Sequence, residues 1–244
     1  MKGVILLGGT GSRLFPLTKC INKHLLPVGG KPMAQWNLEK FAMAGITDVM
    51  IISGQEHCGS IISQFGDGAD LRLNLTYKVQ SKAGGIAQAI RLAKDFANGD
   101  NICVVLGDNM SNIDLSKYVN HIDETNDNAI IFLKEVQDPE RYGVAEGFRK
   151  MSMSNDQMIV TNIIEKPKEP KTNFAVTGFY IFPKDVFDLI DTLHPSARGE
   201  LEVTDLNMLY VKSDRMMAFV LNKDVFWTDA GTFKSYQYAN ELMK

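Results

Sequence analysis

In residues 1–128, two hydrophobic patterns alternate. Short runs rich in apolar residues predict strands at residues 4–7, 48–53, 75–80 and 102–106. Between these runs, apolar residues recur about every 3.6 positions, which predicts helices over residues 32–44, 61–65 and 86–93. Pro32 is expected at the first helical position of the first helix and Gly45 just after its end. The alternation predicts an α/β fold with a doubly wound, mainly parallel sheet.

In the second half of the chain, strand patterns dominate. Runs separated by polar turns predict strands over residues 129–136, 143–147, 158–165 and 174–182. Helices are predicted from Pro183 toward Ile190 and over Phe233–Leu242. The polar, methionine-bearing stretch 151–156 lies between two predicted strands, and we expect a long hairpin connection there.

Composition and charge restrict the possible classes of protein. The 244 residues are 45% hydrophobic, which is ordinary for a globular protein with a full core. A net charge of −3 gives no general attraction for nucleic acid or for acidic membranes, so we expect neither as a partner. Three widely spaced cysteines, no signal peptide and no apolar stretch of membrane length predict a cytoplasmic protein.

A glycine-rich turn follows the first predicted strand. Gly8, Gly9 and Gly11 allow a sharp turn and a close approach of a ligand to the main chain. The free N–H groups of such a turn form a cavity for anions, and Arg13 adds a cation that suits phosphate oxygens. The turn is not a Walker loop, and Leu14 stands where the dinucleotide fingerprint requires Gly or Ala.

The residues after this turn are basic. Lysines occupy positions 19, 23 and 31, and the first acidic residue of the chain is Glu39. A strand followed by a tight turn would explain the glycines without any ligand. The basic stretch favours instead a site for several phosphates.

Two further predicted strands also end in polar or glycine residues. Gln80 precedes Gly84 and Gly85; its amide can pair with a base edge, and Gly85 allows a base to lie against the backbone. Asp108 follows the apolar strand 102–106 and can either cap a turn or hold Mg²⁺. Because ligands of such sheets bind beyond the carboxyl ends of the strands, these groups are expected in one cleft.

Together these residues resemble the sugar-phosphate nucleotidyltransferases, and within that family the glucose-1-phosphate thymidylyltransferases. The resemblance covers nearly the whole chain, and the order and spacing of its blocks are highly specific. The blocks are Gly8–Leu14, Lys23–Pro27, Gln80 with Gly84-Gly85, Leu106–Asn109, Arg141–Val144, Glu165–Pro167, Ala175–Gly178, Ser196–Asp205 and Trp227–Thr232.

The resemblance implies a Rossmann-like fold with a β-rich sugar-binding region in a single domain over residues 1–244. Its nucleotide-binding half would end at about residue 128. The sugar-binding half and the second metal ligand would occupy about 129–231, and a C-terminal helix 232–244. Longer members of the family continue with further helices that help form a regulatory site, and we expect this chain to lack that site. Leu7 also stands where relatives commonly carry a small residue.

The implied reaction joins dTTP and glucose 1-phosphate to give dTDP-glucose and pyrophosphate, with Mg²⁺ as cofactor. The implied catalytic residues are Arg13, Lys23, Asp108, Lys166 and Asp229, of which Asp108 and Asp229 would bind the metal. The implied nucleotide-binding residues are Gly8, Gly9, Thr10, Gly11, Ser12, Arg13, Lys23, Gln80, Gly85 and Asp108. The implied sugar-phosphate residues are Asn109, Gly143, Glu165, Lys166, Val176, Tyr180, Arg198 and Trp227.

Two alternatives remain at the level of sequence. The first is the same chemistry with UTP, CTP or another sugar phosphate, because Gln80 can pair with thymine or uracil. The second is a catalytically silent sensor of nucleotide sugars, which the presence of every expected basic and metal-binding residue disfavours. A homo-oligomer, dimeric or tetrameric, is also expected from the resemblance.

Overall fold

The computed structural model describes residues 1–122, 127–150 and 157–243. Its strands are β1 (Lys2–Leu7), β2 (Pro27–Val28), β3 (Lys31–Pro32), β4 (Asp48–Gly54), β5 (Asn74–Gln80), β6 (Ile102–Leu106), β7 (Asn109–Ser111), β8 (Ala129–Glu135), β9 (Gly143–Lys150), β10 (Gln157–Glu165), β11 (Phe174–Phe182), β12 (Met216–Val220) and β13 (Trp227–Asp229). Its α-helices are α1 (Met33–Met43), α2 (Cys58–Phe65), α3 (Ile86–Arg91), α4 (Lys94–Ala97), α5 (Val186–Ile190), α6 (Val203–Lys212) and α7 (Phe233–Leu242). The predicted hairpin over 151–156 lies outside the described residues.

Nine strands form one twisted sheet in the order β5-β4-β1-β6-β11-β8-β12-β10-β9. The first four strands run parallel to one another, as the sequence predicted. Beyond β6 the pairing is mostly antiparallel: β11 runs against both β6 and β8, and β10 runs against both β12 and β9. The α/β class is confirmed, and the sheet as a whole is mixed because the second half of the chain extends the same sheet.

Two hydrophobic cores cover the two faces of this sheet. Along β1, Val4 and Leu6 point into one core, which α3, α5 and α6 complete, while Ile5 and Leu7 point into the other, which α1 and α2 complete. The alternation follows from the two-residue period of a strand. Helices on both faces are what a doubly wound sheet requires, so the unbroken apolar run of β1 is explained.

Several element boundaries differ from the prediction. Pro32 pairs with Pro27 in a short ribbon, and α1 begins one residue later at Met33. Gly45 ends that helix with a positive φ of 74°, as predicted. Helix α6 and strand β12 were not predicted. The first residues of α6 belong to the resemblance block Ser196–Asp205, for which no helix was predicted. The short β12 is an apolar run that lies between β8 and β10 in the sheet.

A small second sheet brings distant parts of the chain to the site. Strand β13 pairs antiparallel with β7, and Asp229 lies opposite Asn109 in that ladder. The N–H of Ala230 donates to the carbonyl of Asp108 over 2.7 Å. This ladder places Asp229 beside Asp108 at the carboxyl end of β6. Within the described ranges, no helix is both long and apolar enough to span a bilayer.

Candidate active site

Two adjoining cavities open beyond the carboxyl ends of β1 and β6. The first, which we call the glycine-loop cavity, has a volume of about 250 Å³ and is bordered by Gly8, Gly9, Lys23, Gln80 and Gly85. The second, which we call the Trp227 cavity, has a volume of about 220 Å³. Asp108, Ile86, Leu106 and Glu200 border both cavities. The two cavities are therefore two compartments of one cleft, and they adjoin at Asp108.

The predicted sugar-phosphate residues all border the Trp227 cavity. They are Asn109, Gly143, Glu165, Lys166, Val176, Tyr180, Arg198 and Trp227. They come from β7, β9, β10 and the turn after it, β11, β13 and the loop before α6, so only the folded sheet could bring them together. Asp108 and Asp229 border this cavity as well.

The predicted nucleotide-binding residues divide into two groups. Gly8, Gly9, Lys23, Gln80, Gly85 and Asp108 border the glycine-loop cavity. The remaining residues of the loop, Thr10, Gly11, Ser12 and Arg13, border neither cavity. The guanidinium of Arg13 instead lies 3.0 Å from the position that a side chain on Gly231 would occupy, and the same position is 3.7 Å from Asp108 Oδ2. Arg13 therefore points toward the rim of the cleft where the two aspartates lie.

Lys23 and Asp108 form a close ion pair. Lys23 Nζ donates to Asp108 Oδ2 over 2.5 Å, and Asn109 Nδ2 donates to the other oxygen over 3.0 Å. Burial opposes ionisation of Asp108, but the Lys23 ammonium and these hydrogen bonds hold the pKa of the carboxyl well below its usual range. The aspartate is thus a carboxylate at the junction of the two cavities.

His24, the neighbour of Lys23, borders the glycine-loop cavity and is 1% exposed. The Nδ1 of His24 lies 2.7 Å from the Oδ1 of Asn22. The Nδ2 of Asn22 in turn donates to the carbonyl of Leu7 at the end of β1. Burial and the adjacent Lys23 charge lower the pKa of His24 to about 3. The imidazole is therefore neutral near pH 7, where it ties residues 22–24 to the end of β1.

Gln80 and Gly85 are held by local contacts. Gln80 Nε2 donates to Gln88 Oε1 over 2.6 Å and to the Gly85 carbonyl over 3.3 Å. Gly85 has a φ of +94°, and a side chain there would collide with the carbonyl of Leu201. The requirement for glycine thus comes from contact with the chain before α6. Leu201 pairs with this loop by accepting from Ala87 N over 3.1 Å and donating to Gly84 O over 2.8 Å.

Asp229 has partners that the sequence analysis did not assign to the site. Arg141 Nη2 lies 3.2 Å from Asp229 Oδ1, and the Tyr142 hydroxyl donates to the same oxygen over 3.1 Å. Burial and the nearby Asp108 carboxylate raise the pKa of Asp229, although Arg141, Tyr142 and Arg13 act in the opposite direction. Arg141 and Tyr142 belong to the resemblance block Arg141–Val144, so the sequence did contain a signal that they lie in the site.

Glu165 lies at the centre of a polar cluster in the Trp227 cavity. The Thr204 hydroxyl donates to Glu165 Oε2 over 2.5 Å, while Lys166 Nζ lies 3.2 Å and Arg198 Nη2 3.6 Å from Oε1. Thr204 was also not assigned to the site, although it belongs to the resemblance block Ser196–Asp205. Lys166 has a φ of 44°, which a residue with a side chain rarely adopts and which occurs disproportionately at functional sites.

Asn109 is a hub of hydrogen bonds. Its Oδ1 accepts from Trp227 Nε1 over 2.7 Å and from the Gly178 N–H over 2.9 Å, and its Nδ2 donates to Asp108. These bonds use both lone pairs of Oδ1, and among residues 1–122, 127–150 and 157–243 the second N–H of Nδ2 has no acceptor. Asn109 therefore fixes the positions of Asp108 and Trp227, with one donor left for a ligand.

The donor set at the junction of the cavities suits a divalent cation. Asp108 and Asp229 lie close enough for one carboxylate to raise the pKa of the other, and a bound cation would relieve that repulsion. No group of three or more metal-ligating His, Cys, Asp or Glu side chains occurs within residues 1–122, 127–150 and 157–243. Mg²⁺ is nevertheless commonly bound by one or two carboxylates together with substrate phosphates. Asp108 and Asp229 therefore fit a Mg²⁺ site.

Comparisons with known proteins find similar sequences and similar folds. The sequence profile of the family described as nucleotidyl transferase matches residues 2–244. A glucose-1-phosphate thymidylyltransferase from Neisseria meningitidis serogroup A is 37% identical, across 100% of this chain and 83% of its own length. A Bacillus anthracis structure in complex with sucrose, assigned as a glucose-1-phosphate thymidylyltransferase, is 47% identical with a TM-score of 0.90 and covers 100% of this chain and 95% of that one. A UDP-glucose pyrophosphorylase complexed with UDP-glucose has a TM-score of 0.87 over 99% of this chain and 97% of its own, but at 23% identity it shows the fold alone.

Proposed function

This chain belongs to the nucleotidyl transferase family, and we propose that it transfers a thymidylyl group from dTTP to glucose 1-phosphate, with release of pyrophosphate. The observation that carries the proposal is the meeting of the two cavities at Asp108. The glycine-loop cavity suits a base and phosphates, and the Trp227 cavity suits a sugar phosphate. The bond to be made would then lie between them. The relatives named as glucose-1-phosphate thymidylyltransferases support the choice of substrates.

The reaction needs no covalent enzyme intermediate. An oxygen of the sugar phosphate forms a bond to the α-phosphorus of the nucleotide, while the bond from that phosphorus to the bridging oxygen of the β-phosphate breaks. The electron pair leaves with pyrophosphate. Positioning and neutralisation of charge supply most of the acceleration in this class of reaction.

The basic residues of the cleft would divide the phosphate charge. Lys23 lies beside Asp108 and would contact the transferred phosphoryl group, while Arg13 and the loop N–H groups would hold the departing pyrophosphate. Lys166 would orient the attacking phosphate from the other compartment. Its backbone N–H bond to the Tyr142 carbonyl, 2.9 Å long, keeps this strained residue in place.

Sugar recognition would use the cluster around Glu165. A carboxylate can accept hydrogen bonds from two sugar hydroxyls, and Thr204 fixes its orientation. Val176, Tyr180 and Trp227 provide apolar surface beside it. On the nucleotide side, Gln80 would read the base, although its present partners, Gln88 and Gly85, must share its amide.

Enzymes of this family generally use a divalent metal, and we assign Mg²⁺ to Asp108 and Asp229 here. When bound, such an ion neutralises charge on the α-phosphate and the leaving group. Arg141 and Tyr142 hold Asp229, and Asn109 holds Asp108, so these three residues would keep the two carboxylates directed at the same point.

A cytoplasmic homo-oligomer is part of the same proposal. The three cysteines, Cys20, Cys58 and Cys103, are all free, which suits a reducing compartment. We also retain the functional division of the chain near residue 128, because the residues of the glycine-loop cavity come mostly from before it and those of the Trp227 cavity mostly from after it.

A pyrophosphate-release assay tests the proposal. Purified protein would be given dTTP, UTP, CTP, ATP or GTP, each with glucose 1-phosphate, galactose 1-phosphate, mannose 1-phosphate or N-acetylglucosamine 1-phosphate. We expect the largest kcat/KM for dTTP with glucose 1-phosphate. A preference for UTP or for another sugar phosphate would change the proposed substrates but leave the proposed nucleotidyl transfer intact. If no pair of substrates is turned over, the proposal that the protein is an enzyme is rejected.

A further inference from the structure

Asn207 is a buried amide without a hydrogen-bonding partner in the part of the chain that the structure describes. It lies in α6, is 1% exposed, and neither its Oδ1 nor its Nδ2 has a partner among residues 1–122, 127–150 and 157–243. An amide buried in this way costs folding free energy, because water no longer bonds to it and no protein group replaces the water. Such a residue requires an explanation.

The position of Asn207 suggests the explanation. Val203, Thr204 and Asn207 are spaced along one face of α6, and all three border the Trp227 cavity. Thr204 already donates to Glu165, the residue assigned to the sugar hydroxyls. Asn207 lies about one turn further along the same helix face, so it borders the same cavity as Thr204 and Glu165.

Other buried polar atoms without a partner do not share this position. Thr177 Oγ1, Asn37 Oδ1 and Glu146 Oε2 are also unpaired within the described ranges. None of these residues borders the Trp227 cavity or the glycine-loop cavity. Asn207 is therefore distinguished by combining two unpaired polar atoms with a place in the wall of the cleft.

We propose that the Asn207 amide binds a hydroxyl group of the sugar phosphate and thereby contributes to the choice of sugar. An amide offers both a donor and an acceptor, and a hydroxyl can serve as the partner of either. A site built to bond a hydroxyl discriminates against an analogue that lacks it, because the protein group is then left unpaired. The inference rests on the proposed function, since it takes the Trp227 cavity as the sugar compartment.

The opposite explanation is that Asn207 is a structural residue, and the two make different predictions for Asn207→Leu. Leucine has a similar volume and no polar atoms, so it removes the unpaired amide without leaving a large cavity. If Asn207 binds sugar, the variant gains thermal stability without ligand and loses affinity for the sugar phosphate. A merely structural role leaves the affinity unchanged.

The experiment measures KM for glucose 1-phosphate and for its 2-, 3-, 4- and 6-deoxy analogues, with dTTP saturating. We expect Asn207→Leu to raise KM for glucose 1-phosphate roughly ten- to hundredfold, from the range for an unpaired polar group. KM for dTTP should change less than about twofold. One deoxy analogue should bind the variant and the original protein equally, which would identify the hydroxyl that Asn207 contacts.

Thr177→Val is the matched control. It also removes a buried polar atom without a partner, in a residue that borders neither cavity. We expect it to leave KM for every sugar phosphate unchanged. If Asn207→Leu does not fold, Asn207→Ala makes the same comparison.

An unchanged KM for glucose 1-phosphate, or an equal rise for all the analogues, would overturn the role of Asn207. Failure of the proposed substrates looks different. If the original protein prefers another sugar phosphate, the Asn207 variants are measured with that compound and its deoxy analogues, and the same outcomes apply.

Discussion

Lys23 Nζ lies 2.5 Å from Asp108 Oδ2, although the two residues are 85 positions apart in the chain. Both side chains are mostly buried, with 12% and 17% exposure. Lys23→Met would leave the Asp108 charge without its cation. We expect a loss of about 1–3 kcal/mol in the free energy of unfolding, measured by urea denaturation near pH 7.

The double variant Lys23→Met/Asp108→Asn is the control for that loss. Because it removes both charges, it should be more stable than Lys23→Met alone. The folded-state pKa of Asp108 is depressed, so in the original protein this pair stabilises above the unfolded pKa of about 3.9 and its contribution is lost as the pH falls. If Lys23→Met is as stable as the original protein, the Lys23–Asp108 ion pair does not stabilise the fold.

Asp108 and Asp229 are expected to hold one Mg²⁺ together. Asp108→Asn and Asp229→Asn should each keep the fold and lower kcat by roughly two orders of magnitude or more, as removal of a charge-stabilising group does. The double variant should be little worse than either single variant, since each disables the same site. Multiplicative losses, or activity that a chelator leaves unaffected, would mean that the carboxylates act separately.

His24 should make stability depend on pH in the acidic range. Its pKa is about 3 in the folded protein against 6.5 for the free group, so the unfolded chain binds a proton between these values and the folded protein does not. The contribution of His24 to stability is therefore complete above about pH 6.5 and is lost as the pH falls toward 3.

We expect His24→Gln to lack this dependence. The difference in free energy of unfolding between the two proteins should narrow by up to about 1.4 kcal/mol per pH unit below pH 6. Urea denaturation of both proteins at pH 7, 6, 5 and 4 measures this difference in the free energy of unfolding. A difference that stays constant across this range would show that His24 is not held neutral.

Gly85 and Gly84 provide a matched pair of substitutions. Gly85→Ala would place a methyl group against the Leu201 carbonyl at a φ of +94°, whereas at Gly84 the nearest atom is the flexible Gln88 side chain, at 3.0 Å. We expect Gly85→Ala to raise KM for both substrates, because Leu201 bonds to the loop that contains Gly84 and Gly85 and lies in the segment just before α6. Gly84→Ala should be much milder in both KM and thermal stability. Equal effects would exclude the Leu201 contact as the cause.

Lys166 should affect the sugar phosphate far more than the nucleotide. Lys166→Ala should raise KM for glucose 1-phosphate at least about tenfold and leave KM for dTTP nearly unchanged, since only one substrate is expected to contact it. Lys166→Arg keeps the charge but changes its geometry, so it should still be impaired. Full activity of the arginine variant would return Lys166 to the role of a solvated surface residue.

Strong local patterns were predictable along the chain. The apolar strand Ile102–Leu106 and the helix Phe233–Leu242 match the prediction residue for residue. Strand β12 was not predicted, although its five residues form an apolar run like that of Ile102–Leu106, and in the fold it pairs with β8 on one side and β10 on the other. Short segments of this kind depend on tertiary contacts more than on propensity.

The sequence by itself determined the α/β class, the glycine loop and, through the resemblance blocks, the chemical types of residue in the site. Only the tertiary structure decided which of them converge. The β7–β13 ladder sets Asp229 beside Asp108, and α6 brings Thr204 and Asn207 to the cavity wall. The physical reason is that residues distant in sequence are brought together by hydrogen-bond register and by helix packing, which no local pattern contains.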